Sequence, residues 1–423
     1  MEKELPPGAE TYAAWLFFQS VRSEAPSGGI KEVSMYYEMM YEFDRLYEAW
    51  KKCRRGKLQK TEVIQFELNL SEELVKLQRE LKEKTYRIGN YYKFTIYDPK
   101  KREIQALPFR DRIVQHNLCD NILGPLMERH LIYDNSACRK GKGTHFALDR
   151  LSGFFREYYK KYGAEGYCLK CDIHKYFDSI DHKVLKTRLH RVVKEEAVYQ
   201  LLEQMIDSYE KTPGKGLPMG NQTSQWFALY YLDGLDRVAK EKYRMKYYTR
   251  YMDDCIILCR DKEYLKQCLS AMKSYVEEEL LLKFNEKTQL NTIKNGVDYL
   301  GFHFYLTDTG KVIRRLRTSS KRRWKRRLKK MKRQYREDEI TFEEISRSVA
   351  SYKGHLKHGH TYRLKRKVFH DFVLTKAKKH GEKKGEWNEK ENEKYGKEMP
   401  VAASGGGDAA GRAGASCAGG DSK

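Results

Sequence analysis

Two short acidic segments hold the most chemically demanding residues of the chain. Tyr251-Met252-Asp253-Asp254 sets adjacent carboxylates between Tyr247-Tyr248-Thr249 and Cys255-Ile256-Ile257-Leu258, both strong strand formers. Charges in the middle of an apolar hairpin are costly unless neutralised, and a turn alone explains an Asp-Asp pair about as well as a bound cation does. The second segment separates these readings. Tyr167-Cys168-Leu169-Lys170-Cys171-Asp172-Ile173 is another apolar strand that ends in an acid. Two such strands side by side in one sheet would line a site with hard oxygen donors, which suits magnesium. The chemistry that uses such a site is in-line displacement at phosphorus, with two ions stabilising the attacking 3′-hydroxyl and the leaving pyrophosphate.

Asp172-Ile173-His174-Lys175-Tyr176-Phe177 and Tyr251-Met252-Asp253-Asp254 resemble the two palm motifs of reverse transcriptases. Further segments follow in the same order. Gly216-Leu217-Pro218-Met219-Gly220 resembles the motif that positions template and nucleotide, and Asn285-Glu286-Lys287-Thr288 the segment bearing a lysine proposed to protonate pyrophosphate. Tyr299-Leu300-Gly301-Phe302 resembles the primer grip, and the whole likeness covers roughly residues 45–375. It implies an α+β right-hand polymerase with fingers, an antiparallel-sheet palm and a helical thumb. It further implies Asp172 and Asp253 as principal metal ligands, the Ile173 carbonyl as a third donor, Asp254 completing the acidic cluster and Lys287 as general acid. The cofactor implied is Mg2+, two ions, with Mn2+ as a substitute. Phe177 falls at the steric gate against a ribose 2′-hydroxyl. Lys100, Lys101 and Arg102 match the basic residues that clasp the incoming triphosphate, and Met219, Gly220 and Gln225 fall beside the nucleotide. Template–primer contacts are expected from Tyr251, Met252, Leu300, Gly301, Arg322, Arg323 and Arg326. Arg110, Arg112 and Arg139 could contact template phosphates, with ion pairs inside the fingers as the equal alternative.

Two departures from the common pattern narrow the resemblance. Most reverse transcriptases have glutamine where Met219 stands and Ser-Pro where this chain has Ser224-Gln225. An aliphatic residue at the first position and Ser-Gln at the second are similar to the enzymes of diversity-generating retroelements, as is Ser136-Ala137-Cys138-Arg139-Lys140-Gly141-Lys142-Gly143-Thr144-His145. That family copies a template RNA with frequent errors opposite adenine, and its cDNA replaces a variable region of a target gene. A thioether packs but hardly hydrogen-bonds, so losing the amide at position 219 would narrow the gap between right and wrong base pairs. The resemblance implies template RNA, primer or cDNA and dNTPs as partners, with a small basic accessory protein oligomer and a prokaryotic or phage-encoded origin in cytoplasm. A group II intron-like enzyme, or another prokaryotic one without a mutagenic role, is the alternative.

These residues need a frame. Helical spacing of Leu46, Ala49 and Trp50, and then of Leu70, Leu74, Leu77 and Leu81, predicts helices between Met35 and about Lys84, with Ser71 as an N-terminal cap. Alternation at Tyr92, Phe94 and Ile96, a break at Pro99-Lys100-Lys101, and alternation again at Ile104, Ala106 and Pro108 predict a basic-tipped hairpin. Helices are expected at 111–131 and 144–162, and strands alternating with helices between 166 and 306. From Lys311 to Arg333 there are fourteen Lys or Arg and no acid, with Trp324, Leu328 and Met331 at helical spacing, as for a helix that packs one stripe inward and faces phosphates with the rest. The expected division is an N-terminal extension 1–44, fingers 45–165, palm 166–310, basic helical thumb 311–375 and a flexible tail 376–423.

The net charge of +24 calls for a polyanionic partner. A membrane partner is disfavoured, since no apolar run approaches the roughly 20 residues a spanning helix needs. Cys168/Cys171 and Cys255/Cys259 look like halves of a zinc site. Two residues three apart on a strand point to opposite faces, however, so buried structural thiols are expected instead.

Overall fold

The computed structural model describes residues 35–97, 101–286, 288–370 and 372–376. The extension before Met35, Lys100, Lys287 and the tail from residue 377 therefore lie outside the described residues. The leucine spacing resolves into helices, among them α1 (Phe43–Arg54), which buries Leu46, Ala49 and Trp50, and α2 (Leu70–Lys82), which buries Leu74, Leu77 and Leu81. Ser71 is not the cap: α2 already begins at Leu70, with Asn69 at the boundary and no side-chain cap hydrogen bond. The basic-tipped hairpin is present as β1 (Tyr92–Ile96) and β2 (Arg102–Ala106), antiparallel with Tyr92 opposite Ala106. Its alternation does not mark a core face, because Tyr92, Phe94 and Ile96 are all exposed. Helix α3 (Phe109–Leu118) continues through a wider turn at Cys119–Leu123 into Gly124–Glu128, and α4 spans Thr144–Tyr162.

The central sheet is antiparallel, in the order β4 (Tyr247–Tyr251), β5 (Asp254–Cys259), β3 (Tyr167–Cys171), β6 (Gln289–Thr292). Alternation along β3 and β5 feeds two cores on opposite faces: Leu169, Cys171, Cys255 and Ile257 face one, and Cys168, Ile256 and Leu258 the other. The thiols of Cys168 and Cys171 thus part as expected, and all described cysteines are free. Helix α5 (Gln222–Tyr231) presents Phe227 and Tyr231 to the first core, and Leu235 joins them from the next helix.

A second, three-stranded sheet of β7 (Val297–Tyr299), β8 (Phe302–Leu306) and β9 (Val312–Leu316) leads to the thumb. Because β9 pairs with β8, the residues just past 310 belong with this sheet, and the helices start only at Thr318. Helices α6 (Thr318–Arg336), α7 (Phe342–Leu356) and α8 (Tyr362–His370) enclose a separate core of Trp324, Leu328, Met331, Ile345 and Leu356. Every Lys and Arg of α6 except Lys332 stays exposed. Among the described residues no helix is long and apolar enough to cross a membrane. Strands in three antiparallel sheets, helices on both sides of the largest one and a basic helical cap make an α+β right hand.

Candidate active site

Register brings the acids together. Cys171 pairs with Cys255, so Asp172, one residue beyond β3, stands opposite Asp254. Tyr251 pairs with Asp254, which leaves Met252-Asp253 as a two-residue loop. Only Met252 has a positive φ, +55°, as at the first central position of a type II′ turn, a shape whose twist matches the flanking strands. Asp253 therefore sits at the tip of a short rigid hairpin, next to the end of the neighbouring strand.

The Asp253 carboxyl is in hydrogen-bonding contact with Asp172, and burial together with that neighbouring charge pushes its pKa up to about 7. Asp172 Oδ2 accepts from Asn285 Nδ2 at 3.2 Å, and its carbonyl accepts from Asn285 N at 2.6 Å. Among the described residues no cationic side chain neutralises either Asp172 or Asp253. Asp254 differs. Burial raises it to about 6 against the pull of Lys170, whose Nζ donates to Asp254 Oδ2 at 2.8 Å and to the Asp298 carbonyl at 2.7 Å. Asp254 is thus tied to the β7–β8 hairpin.

Ile173 has its side chain in the core and bridges Phe284. The bonds on either side of that bridge are made by Asn285 N to Asp172 O and His174 N to Lys283 O, so the Ile173 carbonyl points away from the 283–285 segment. Among the described residues no three His, Cys, Asp or Glu side chains converge to enclose a metal. Two unneutralised carboxylates and a carbonyl nonetheless fit Mg2+, which typically takes one or two carboxylates and completes its shell with water and substrate phosphate.

The other expected residues fall in three groups. Lys101, Arg102, Asp178, Leu217 and Met219 line one cavity of ≈ 280 Å³ between the fingertip and the 217–220 loop. That loop is strapped on both sides, by Leu217 N to Phe177 O at 2.7 Å and Gln105 N to Met219 O at 3.4 Å. Gly220 (φ +128°) approaches Gln105 and Ile104, Phe177 packs edge-on to Tyr176, and Gln225 is half-buried on α5. Leu300 and Gly301 form the β7–β8 loop, both with positive φ as in a type I′ turn, and Gly301 O accepts from Arg317 N at 3.1 Å. Tyr251 is half-buried with its hydroxyl 3.4 Å from Thr144 Oγ1, while Arg322, Arg323 and Arg326 are exposed on α6.

The third group serves the fold. Arg110 pairs with Glu80 and Arg112 with Glu62, while Arg139 is buried, bonded to Glu128 and to the carbonyls of Ile132 and Asn135. Of the two roles open for these arginines, the structure shows the internal ion pair. Sequence reasoning passed over Lys170, and also Arg250, which is paired with Asp236 beneath the Met252-Asp253 loop. The signal was there in both: a lone cation in an otherwise apolar strand requires a partner.

Residues 97–304, which contain both acidic motifs and the loop at Met219, match the family model described as reverse transcriptase (RNA-dependent DNA polymerase). The chain carries a reverse transcriptase domain. No curated protein matches the sequence. Solved structures similar to it include telomerase from Candida albicans in complex with a fragment of telomeric RNA, at 12% identity and a TM-score of 0.42, covering 61% of this chain and 52% of that one. Apo telomerase from Candida tropicalis lacking its C-terminal domain matches at 14% identity and TM-score 0.41, over 56% of this chain and 58% of that one. A further apo telomerase structure from Candida tropicalis matches at 15% identity and TM-score 0.41, over 54% and 49%. The chain thus spans about half the length of the telomerase chains it matches.

Proposed function

We propose that this chain is an RNA-directed DNA polymerase that copies a template RNA with low fidelity at adenines, as part of a diversity-generating retroelement. The half-buried Asp172/Asp253 pair, with no counter-cation among the described residues and set at the tip of two paired strands inside a reverse transcriptase domain, carries the catalytic part of the reading. Asp172, Asp253 and the Ile173 carbonyl would hold Mg2+, which supplies charge neutralisation at the attacking and leaving oxygens when bound. Asn285 holds Asp172 in place from its far side. Lys101 and Arg102, with Lys100, receive the triphosphate; Phe177 crowds the sugar 2′ position; Lys287 delivers a proton to pyrophosphate. Leu300-Gly301 supports the primer end, and Arg322, Arg323 and Arg326 lie along the template–primer backbone. Asp254 takes part through Lys170.

Low fidelity rests on Met219 in the fingertip cavity and on Ser224-Gln225 in the sequence. The accessory protein oligomer and a prokaryotic or phage-encoded cytoplasmic setting belong to the same reading. Primer extension on an RNA template, with Asp253→Ala as control, tests the enzyme. An inactive wild type would reject it. Sequencing the cDNA tests the subtype: substitutions concentrated at template adenines support it, and an even error spectrum favours the group II intron-like alternative.

A further inference from the structure

Arg250 and Asp236 are both fully enclosed, which holds for no other ion pair among the described residues. The pairing is bidentate: Arg250 Nε donates to Asp236 Oδ1 at 2.7 Å and Nη2 to Oδ2 at 2.6 Å. Tyr248 Oη adds a third bond to Asp236 Oδ1 at 2.6 Å. The remaining guanidinium bonds go to backbone: Nη2 to the Leu229 carbonyl at 3.1 Å, and Nη1 to the Met252 carbonyl at 2.8 Å. The Arg250 main chain is held as well, its N–H donating to Asp134 O and its carbonyl accepting from Ser136 N.

Burial of two charges is a poor route to stability, because well-packed apolar residues of the same volume commonly do as well or better. What an apolar pair cannot do is donate a hydrogen bond to the Met252 carbonyl. That carbonyl belongs to the peptide that enters Asp253, and Met252 holds the left-handed conformation that non-glycine residues seldom adopt. The plane of this peptide sets the direction of the Asp253 side chain.

We propose that Arg250, braced by Asp236, is a positioning residue: it fixes the Met252–Asp253 peptide and thereby aims the Asp253 carboxylate at Asp172. This rests on reading Asp172 and Asp253 as the metal-holding pair. Arg250→Lys keeps the buried charge but cannot span Asp236 and Met252 with a planar fork. Its kcat for primer extension is expected to fall about tenfold to a hundredfold, the size of effect that small misplacements of a reacting group produce. KM for dNTP and the Kd for template–primer should stay near wild type. The Mg2+ dependence should shift to higher concentration, and Mn2+ binding measured by calorimetry without nucleotide should weaken in parallel.

The double variant Asp236→Leu/Arg250→Met removes both charges together and guards against failure to fold; it should show the same weakened Mn2+ binding. Tyr248→Phe, which loosens Asp236 alone, should lower Tm without moving the Mg2+ profile. Wild-type kcat and Mn2+ affinity in folded Arg250→Lys, or in the folded double variant, would overturn the inference and leave the reading of the site intact. An inactive wild type that binds no Mn2+ would overturn both.

Discussion

Asp253 and Asp254 are neighbours in sequence with different partners, and substitution should separate them. Asp253→Asn and Asp172→Asn each remove half of the unneutralised pair, with an expected loss of about a thousandfold or more in primer extension. Asp254→Asn removes the partner of Lys170, and the loss should be closer to tenfold, the scale of a shifted support. Equal losses at 253 and 254 would return Asp254 to the metal. The raised pKa values also set a sign for pH. Asp253 moves from 3.8 to about 7, so the metal-free folded chain holds a proton that the unfolded chain releases. The contribution of Asp253 to stability is therefore fully present below pH 3.8 and is lost as pH rises to about 7, and Asp254 acts in the same direction. Thermal melts with chelator should show that decline, and Mg2+ should raise Tm more at pH 8 than at pH 5. Met219→Gln supplies a hydrogen-bonding amide, and on the proposed low-fidelity reading adenine errors should drop about tenfold per 1.4 kcal/mol of discrimination gained; an unchanged cDNA error spectrum would remove Met219 from the explanation. Sequence spacing was enough to single out these acids, since two apolar strands that both end in carboxylates need a common neutralising partner, and the register brings the strand ends together. It could not show that Lys170 claims one of them, because that pairing depends on which sheet face each residue takes.

Among the elements, α6 was the most legible. A stripe of Trp324, Leu328 and Met331 inside an unbroken basic run leaves few foldings open, and the structure buries those three and exposes the cations around them. The hairpin of β1 and β2 was legible in pairing but not in packing: alternation reports a strand, and whether a face finds a cover depends on what the chain brings over it. Arg322, Arg323 and Arg326 on the open side of α6 lead to a quantitative expectation. Replacing them with Ala should weaken template–primer binding and flatten the slope of log K against log salt by about 0.9 for each phosphate that is no longer neutralised. An unchanged slope would place the nucleic acid elsewhere. On the packed side, Trp324→Ala should destabilise the thumb by about 3–5 kcal/mol. Trp324→Phe should cost far less than that, since the indole Nε1 has no hydrogen-bond partner among the described residues.

At the scale of the molecule, fingers and palm share one large core that runs through α1, α2, α3, β3 and β5, whereas the thumb closes a core of its own. Leu316, at the end of β9, packs against both the thumb core and the second palm core. Native-state hydrogen exchange should therefore find the amides of 318–370 opening at lower free energy than those of β3–β5; uniform protection across both would show a single cooperative unit. The onset of the basic run divided palm from thumb at 310 in the sequence; that β9 still pairs with β8, and that the helices from Thr318 close a core apart from the palm, depends on contacts no local pattern carries.

The shortness of the two loops at the centre, Met252-Asp253 and Leu300-Gly301, has a bearing on the history of this chain. A two-residue connection is the least that two antiparallel strands commonly use, and its backbone shape is dictated by their twist. One inserted residue would rotate Asp253 off its neighbour or slip the strand by a register step that turns every side chain to the other face. Lineages of this domain can exchange residues there but can hardly gain or lose them. Natural variants should accordingly keep the same count of residues from Tyr251 to Asp254 and from Tyr299 to Phe302 while the letters between them drift.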